Sequence, residues 1–195
     1  MKIVVIKYNA GNIRSVAFAM ERLHIDFEIS DEIEKIEKAD KVIFPGVGEA
    51  SSTMKYLKEK KLDQLIVSLK QPVLGICLGM QLMCRYSDEN NTQCLGIFDE
   101  TVRAFKADIN HKVPHIGWNS LNSINGWLDS RLKDQFVYFV HGYYVPVNPF
   151  TSAITDYTEP FSAAMRKNNF FAVQFHPEKS ARAGELVLQN FLNMV

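Results

Sequence analysis

The sequence predicts an α/β fold: a mostly parallel sheet with helices on both faces and antiparallel strands added to it. Three observations carry that prediction. Short runs that are apolar without alternation recur at residues 2–8, 41–44 and 72–76, as strands buried on both faces require. Between them come stretches with apolar residues at helical spacing, at the short intervals of a strand-helix-strand chain. After Arg85 the pattern turns to short β-rich pieces between polar loops, which read as antiparallel strands joined to the sheet or lying over it.

Each element has its own justification. Residues 2–8 are rich in Ile and Val and form the first strand, followed by a loop at residues 9–12. A helix over 13–23 carries Val16, Met20 and Leu23 on one side. Residues 26–30 form a second strand, and Asp31 is placed to cap a short charged helix over 32–39. The third strand, 41–44, ends in Pro45-Gly46-Val47-Gly48, and helices over 53–60 and 62–70 lead to a central strand behind Pro72. A helix running from Met80 toward Arg85 follows, then a polar loop at 87–92. The β-rich pieces fall at 101–105, 115–121, 136–145, 153–157 and 161–166. A last strand over 170–175 and a helix over 181–194 complete the chain.

Bulk properties exclude several classes. Lys plus Arg is 22 and Asp plus Glu is 22, so no net charge draws the chain to nucleic acid or to an anionic membrane. Nothing approaches the roughly 20 apolar residues of a membrane span, and the apolar N-terminal run is broken by Lys7 too soon for a signal peptide. Three cysteines, Cys77, Cys84 and Cys94, suggest neither a disulfide framework nor a zinc site, and point to a reducing, cytoplasmic setting. Cys84, two helical turns after Cys77, reads as core. Without repeat or linker, the expectation is one domain over residues 1–195.

The chemistry gathers at Gly75-x-Cys77-x-Gly79, between the central strand and the next helix. That layout sets a nucleophile on a sharp strand-to-helix turn, with glycines allowing close backbone approach. A helix N-terminus behind the sulfur favours an anion. His176-Pro177-Glu178 directly follows the last strand, at the edge where a parallel sheet gathers its sites. Imidazole there takes the thiol proton and later returns it to a leaving amine. A carboxylate two residues on can orient the ring. Pro45-Gly46-Val47-Gly48 can point backbone N–H groups into a pocket, where each oxyanion donor is worth about 10²–10³ in rate. A loop that presents or withdraws one such N–H could therefore switch activity. A buried small cysteine, a helix-starting turn and a tight strand-to-helix connection explain the three stretches one by one.

Together the three stretches, Gly75 to Gln81, Phe175 to Glu178 and Pro45 to Gly48, resemble the motifs of the class I, triad-type glutamine amidotransferases. Within them, Tyr8 to Val16, Val113 to Asn119, Tyr138 to Tyr144 and Phe175 to Ser180 are similar to the glutaminase subunits that serve imidazole glycerol phosphate synthesis in histidine biosynthesis. The likeness spans essentially the whole chain. Departures are Lys7 where many members have Asp, Asn9 where many have Gly, and Gly142 in place of Ser or Thr.

The resemblance implies a flavodoxin-like sheet with Cys77 as nucleophile, His176 as base and acid, and Glu178 as the orienting carboxylate. It implies oxyanion donors at Leu78 N–H and the Val47-Gly48 peptide. Gly46, Gly48, Gln81, Gly142 and Tyr143 would grip glutamine, and Asn12, Trp118, Tyr138 and Lys179 would face a partner. That partner is a (β/α)₈ cyclase subunit, separate because none is fused here, and no metal or organic cofactor is implied. From the residues alone, His141 reads as a structural histidine and His24 and His111 as exposed turn residues, while His115 is left open. The charged run 31–41 reads as a solvated helix face, and Trp118 is divided between core and interface. Rival readings are a glutaminase feeding another synthase, a non-catalytic regulatory subunit, and a cysteine hydrolase on the same architecture.

Overall fold

A computed structural model of the chain describes residues 1–8 and 12–194. Most of the expected loop at 9–12, with the Asn9 departure, lies outside the described residues. In the first part of the chain, β1 (Ile3–Ile6), α1 (Ile13–Arg22), β2 (Glu28–Ser30), α2 (Ile33–Glu37) and β3 (Lys41–Phe44) are followed by α3 (Ala50–Glu59), α4 (Leu62–Ser68), β4 (Val73–Ile76) and α5 (Leu78–Met83). The second part holds β5 (Cys84–Ser87), β6 (Thr92–Gln93), β7 (Phe98–Ala104), β8 (His115–Ser120), β9 (Ser123–Ile124), β10 (Phe136–His141) and β11 (Tyr143–Tyr144). It closes with β12 (Thr151–Asp156), β13 (Pro160–Lys167), β14 (Phe170–Val173) and α6 (Ala181–Leu192).

The main sheet has the order β2-β1-β3-β4-β14-β13-β12-β9. Its first five strands are parallel, in the doubly wound order 2-1-3-4-5, and the last three are antiparallel additions. Period-2 geometry divides the core in two. Val5, Ile43, Leu74 and Val173 pack with α1 and α6, whereas Val4, Phe44, Val73 and Ala172 pack with α3 and α4. Both faces are therefore apolar, which is why β1, β3, β4 and β14 are buried at every residue. Two ribbons, β10-β8 and β11-β7-β5-β6, lie outside this sheet.

Several local expectations need correction. Asp31 does not cap α2; Glu32 stands at the cap, and its N–H is taken by Ser30 Oγ at 3.1 Å. The helix after Cys77 starts at Leu78 and stops at Met83, because Cys84 turns extended to pair with Phe98. Strand pairing overrides the helix propensity of the segment reaching Arg85. The polar stretch 87–92 includes a 3₁₀ turn, Glu89–Asn91, and the start of β6. β7 begins at Phe98 rather than 101, and β9 is a strand the pattern did not announce. The piece 136–145 divides at Gly142, its halves pairing with β8 and β7 respectively. His115, whose role the sequence leaves undecided, is a buried first residue of β8. Within the charged run, Lys35 bridges Glu28 and Glu32 in the open, but Lys41 is buried. Cys84 is fully buried, as a core residue should be. No helix among the described residues is long and apolar enough to cross a membrane.

Candidate active site

Parallel pairing sets the C-terminal ends of β4 and β14 side by side, with Ile76 opposite Val173. Cys77 continues that register, its N–H donating to Val173 O at 2.8 Å. It then turns abruptly into α5 with φ 52° and ψ −108°, a conformation that costs a side-chain-bearing residue about 1–3 kcal/mol. The flanking glycines are required by space. A Cβ on Gly79 would collide with Phe44 O, and one on Gly75 would meet Met83 Sδ at 2.9 Å. Gly46 sits as tightly against Gly79, so the end of β3 is pressed onto the cysteine turn.

His176 comes three residues after β14 and is tied to β10 by its N–H, which donates to Tyr138 O at 2.9 Å. Ser180 Oγ completes the tie, donating to His176 O at 2.6 Å and accepting from Tyr138 N–H at 2.9 Å. Pro177 starts the 3₁₀ turn that brings Glu178 back under the ring. His176 Nδ1 lies 2.8 Å from Glu178 Oε1, so the carboxylate holds the hydrogen on Nδ1 and, among the described residues, Nε2 has no conventional hydrogen-bond partner. Burial opposes charge on this imidazole, but the Cys77 sulfur and the Glu178 carboxylate outweigh it and raise its pKa above the ordinary value. A protonated ring is what a neighbouring sulfur anion needs.

Cys77 opens onto a cleft of about 300 Å³, at the small end of the ~300–1,000 Å³ range of ligand pockets. Val47 and Gly48 form one wall, Leu78 and Gln81 another, and Gly142 with Tyr143 a third. His176 is fully buried behind it. Gly48 holds φ +137°, open to glycine and strained for other residues. Neither Val47 N–H nor Gly48 N–H has an acceptor among the described residues, whereas Leu78 N–H is engaged with Gly46 O at 3.3 Å. Gly142 leaves room for a side chain, so packing does not demand glycine there.

Four polar residues at or beside the cleft carried no site assignment in the sequence. Glu89, from the polar loop after β5, lines the cleft; burial raises its pKa, against the pull of Ala50 N–H on Oε2 at 2.8 Å. Its type and position in a loop gave no signal. Gln174 is fully buried and donates to Cys77 Sγ. His141 Nδ1 bonds Tyr143 O at 2.7 Å, the structural role its aromatic surroundings suggested, and its Nε2 meets His115 Nδ1 at 3.1 Å. Burial lowers His141 to about 3 and His115 to about 4, so both rings are neutral near pH 7.

The residues expected to face a partner divide. Trp118 and Tyr138 are cross-strand partners on the β8–β10 ribbon, ring centroids 6.0 Å apart, with Lys179 Nζ 5.8 Å from the Tyr138 centroid. Trp118 is 52% exposed and therefore not core; Ile116 and Phe136 extend the same exposed apolar face. Asn12 does not join them. It is buried, and its Nδ2 donates to Glu178 Oε1 at 3.0 Å. Among the described residues no group of three or more His, Cys, Asp or Glu is arranged to hold a metal.

A cysteine on a strained strand-to-helix turn, and a carboxylate-held histidine just beyond the end of the adjacent parallel strand, have the arrangement a thiol hydrolase needs, on a doubly wound sheet. The sequence model of the class-I glutamine amidotransferases matches residues 5–195, and the chain belongs to that family. It is 58% identical to the imidazole glycerol phosphate synthase subunit HisH of Bacteroides fragilis (strain YCH46), over the whole of both chains. The subunit of the same name from Bacteroides thetaiotaomicron is 56% identical, again over both full lengths. Among solved structures, a putative GMP synthase subunit from Thermoplasma acidophilum superposes with a TM-score of 0.74 at 19% identity, covering 98% of this chain and 92% of that one. At that identity the likeness shows the fold alone.

Proposed function

We propose that this chain is the glutaminase subunit of an imidazole glycerol phosphate synthase, acting as a single domain over residues 1–195 in the cytoplasm. The observation that carries the reading is the meeting of Cys77, His176 and Glu178 at one sheet edge beside a cleft of amino-acid size. The full-length identity to subunits of that synthase supports the choice of pathway. Cys77 Sγ, its proton held by His176, attacks Cδ of the glutamine side chain. The oxyanion is received by the Val47-Gly48 peptide and by Leu78 N–H once the latter leaves Gly46 O. Collapse of the tetrahedral intermediate breaks the C–N bond, His176 protonates the leaving nitrogen, and ammonia departs. Water, deprotonated by His176, then cleaves the γ-glutamyl thioester to glutamate and restores the thiol.

Gly46, Gly48, Gly142 and Tyr143 offer backbone groups to the substrate, and the Glu89 carboxylate suits its α-ammonium. Gln81 contributes through its oxygen, because both hydrogens of its amide are engaged elsewhere. The β8–β10 face with Trp118, Tyr138 and Lys179 is the docking face for a separate (β/α)₈ cyclase, which consumes the ammonia. The test is glutamate release by the chain alone and with the cyclase and its nucleotide ligand. Slow release alone, strong stimulation in the complex and none from Cys77→Ala are expected. Turnover by Cys77→Ala would end the reading, and stimulation only by another acceptor's synthase would move it to that pathway.

A further inference from the structure

The amide of Gln174 has a fixed polarity, and one carbonyl fixes it. Tyr143 O can only accept, so Gln81 must turn its NH₂ group toward it, 2.9 Å away. The second hydrogen of that NH₂ reaches Gln174 at 3.0 Å, which requires the Gln174 oxygen to face Gln81. The Gln174 NH₂ is thereby directed at Cys77 Sγ, 3.6 Å away. The same carbonyl also accepts from His141 Nδ1 at 2.7 Å. Gln174 itself is fully buried and anchored, its backbone N–H donating to Ala163 O at 2.8 Å. An alternative amide flip would set two oxygens, or two NH₂ groups, against each other in a dry site.

We infer that Gln174 is a catalytic residue of the thiol site: its side-chain N–H stabilises the sulfur anion of Cys77, oriented for that task by Gln81 and Tyr143 O. The inference rests on the glutaminase reading above. As a thiol, Cys77 can use Val140 O at 3.9 Å as its own acceptor. Once the proton passes to His176, the sulfur becomes an acceptor, and Gln174 is the side chain already presenting a donor to it. No proton moves on Gln174, which stays neutral throughout. A hydrogen bond to a charged group corresponds to roughly ten- to hundredfold in an equilibrium of this kind.

Gln174→Glu tests this with the least change in shape, because in its ionised form the side chain still accepts from Gln81 but offers the sulfur no donor. Iodoacetamide alkylation of Cys77 in the folded chain reads the sulfur anion without any turnover. At neutral pH it is expected to slow by about tenfold or more, with the rate profile displaced to higher pH. In the complex with the synthase partner, kcat should fall by a similar factor and KM by little. Gln174→Met, apolar and of similar length, should shift alkylation in the same direction and serves if the Glu variant does not fold. Wild-type alkylation rates in either folded variant would overturn the inference. Failure of the wild-type chain to release glutamate even in the complex would instead overturn the functional reading, and the alkylation comparison would still decide the role of Gln174.

Discussion

Asn12 Nδ2 donates to the same oxygen of Glu178 that receives His176 Nδ1, at 3.0 and 2.8 Å respectively. One carboxylate oxygen thus joins the end of the β1 loop to the imidazole, and both groups are buried. Removing Asn12 leaves Glu178 with one donor fewer in a site closed to water. Asn12→Ala is expected to lower kcat for glutamate release by about tenfold, the value of one hydrogen bond to a charged group. The thermal midpoint should change by only a few degrees. Unchanged kcat in a folded Asn12→Ala chain would show that His176 and Glu178 hold each other unaided.

That relationship also shows where the sequence was legible and where it was not. The parallel strands, the cysteine turn and the His-Pro-Glu turn each declare themselves within a few consecutive residues. Asn12 and Glu178 stand 166 positions apart, and nothing local announces that they meet. Gln174 is likewise an ordinary residue until β14 lies against β4, and Gln81, which the resemblance assigns to gripping glutamine, gives no local sign that it meets Gln174. Resemblance assigned Asn12 to a surface, whereas packing buries it. The split at Gly142 was hidden because residues 136–145 read as uniformly β-rich, and which ribbon each half joins depends on distant partners.

Glu178→Gln should preserve the shape of the turn while removing the charge that helps His176 stay protonated. The His176 pKa is raised, and Glu178 is one of the two groups raising it. Loss of that group moves the pKa down, so the ring loses its proton at a lower pH. The alkaline limb of the kcat profile for glutamate release should therefore shift to lower pH, with kcat itself down by about 10²–10⁴. A profile coincident with wild type would remove Glu178 from the catalytic machinery.

The backbone of Cys77 makes an unusual stability prediction. Its φ of 52° with ψ of −108° suits glycine better than any residue carrying Cβ. Cys77→Ala and Cys77→Gly both lose the sulfur, but only the second releases the strain. Against about 1–3 kcal/mol of strain stands the greater freedom of glycine in the unfolded chain, about 0.5–1 kcal/mol. Cys77→Gly should be more stable than Cys77→Ala by about 1 kcal/mol in urea unfolding, although both are inactive. An alanine variant of equal or greater stability would mean that the turn is relaxed as built.

Trp118 offers a prediction that separates docking from folding. Its ring stands on the outer face of the β8–β10 ribbon against Tyr138, half exposed, with Ile116 and Phe136 beside it. Half of the residue is already exposed in the isolated chain and its ring packs on Tyr138 at the surface rather than in the core, so Trp118→Ala should shift the thermal midpoint little. Burying an aromatic anchor at the centre of an interface commonly contributes about 2 kcal/mol or more. Affinity for the cyclase should accordingly fall by roughly thirtyfold in calorimetric titration, while alkylation of Cys77 in the free chain keeps its wild-type rate. Unaltered affinity would shift the docking face away from this ribbon, and a lowered midpoint would return Trp118 to the ranks of structural aromatics.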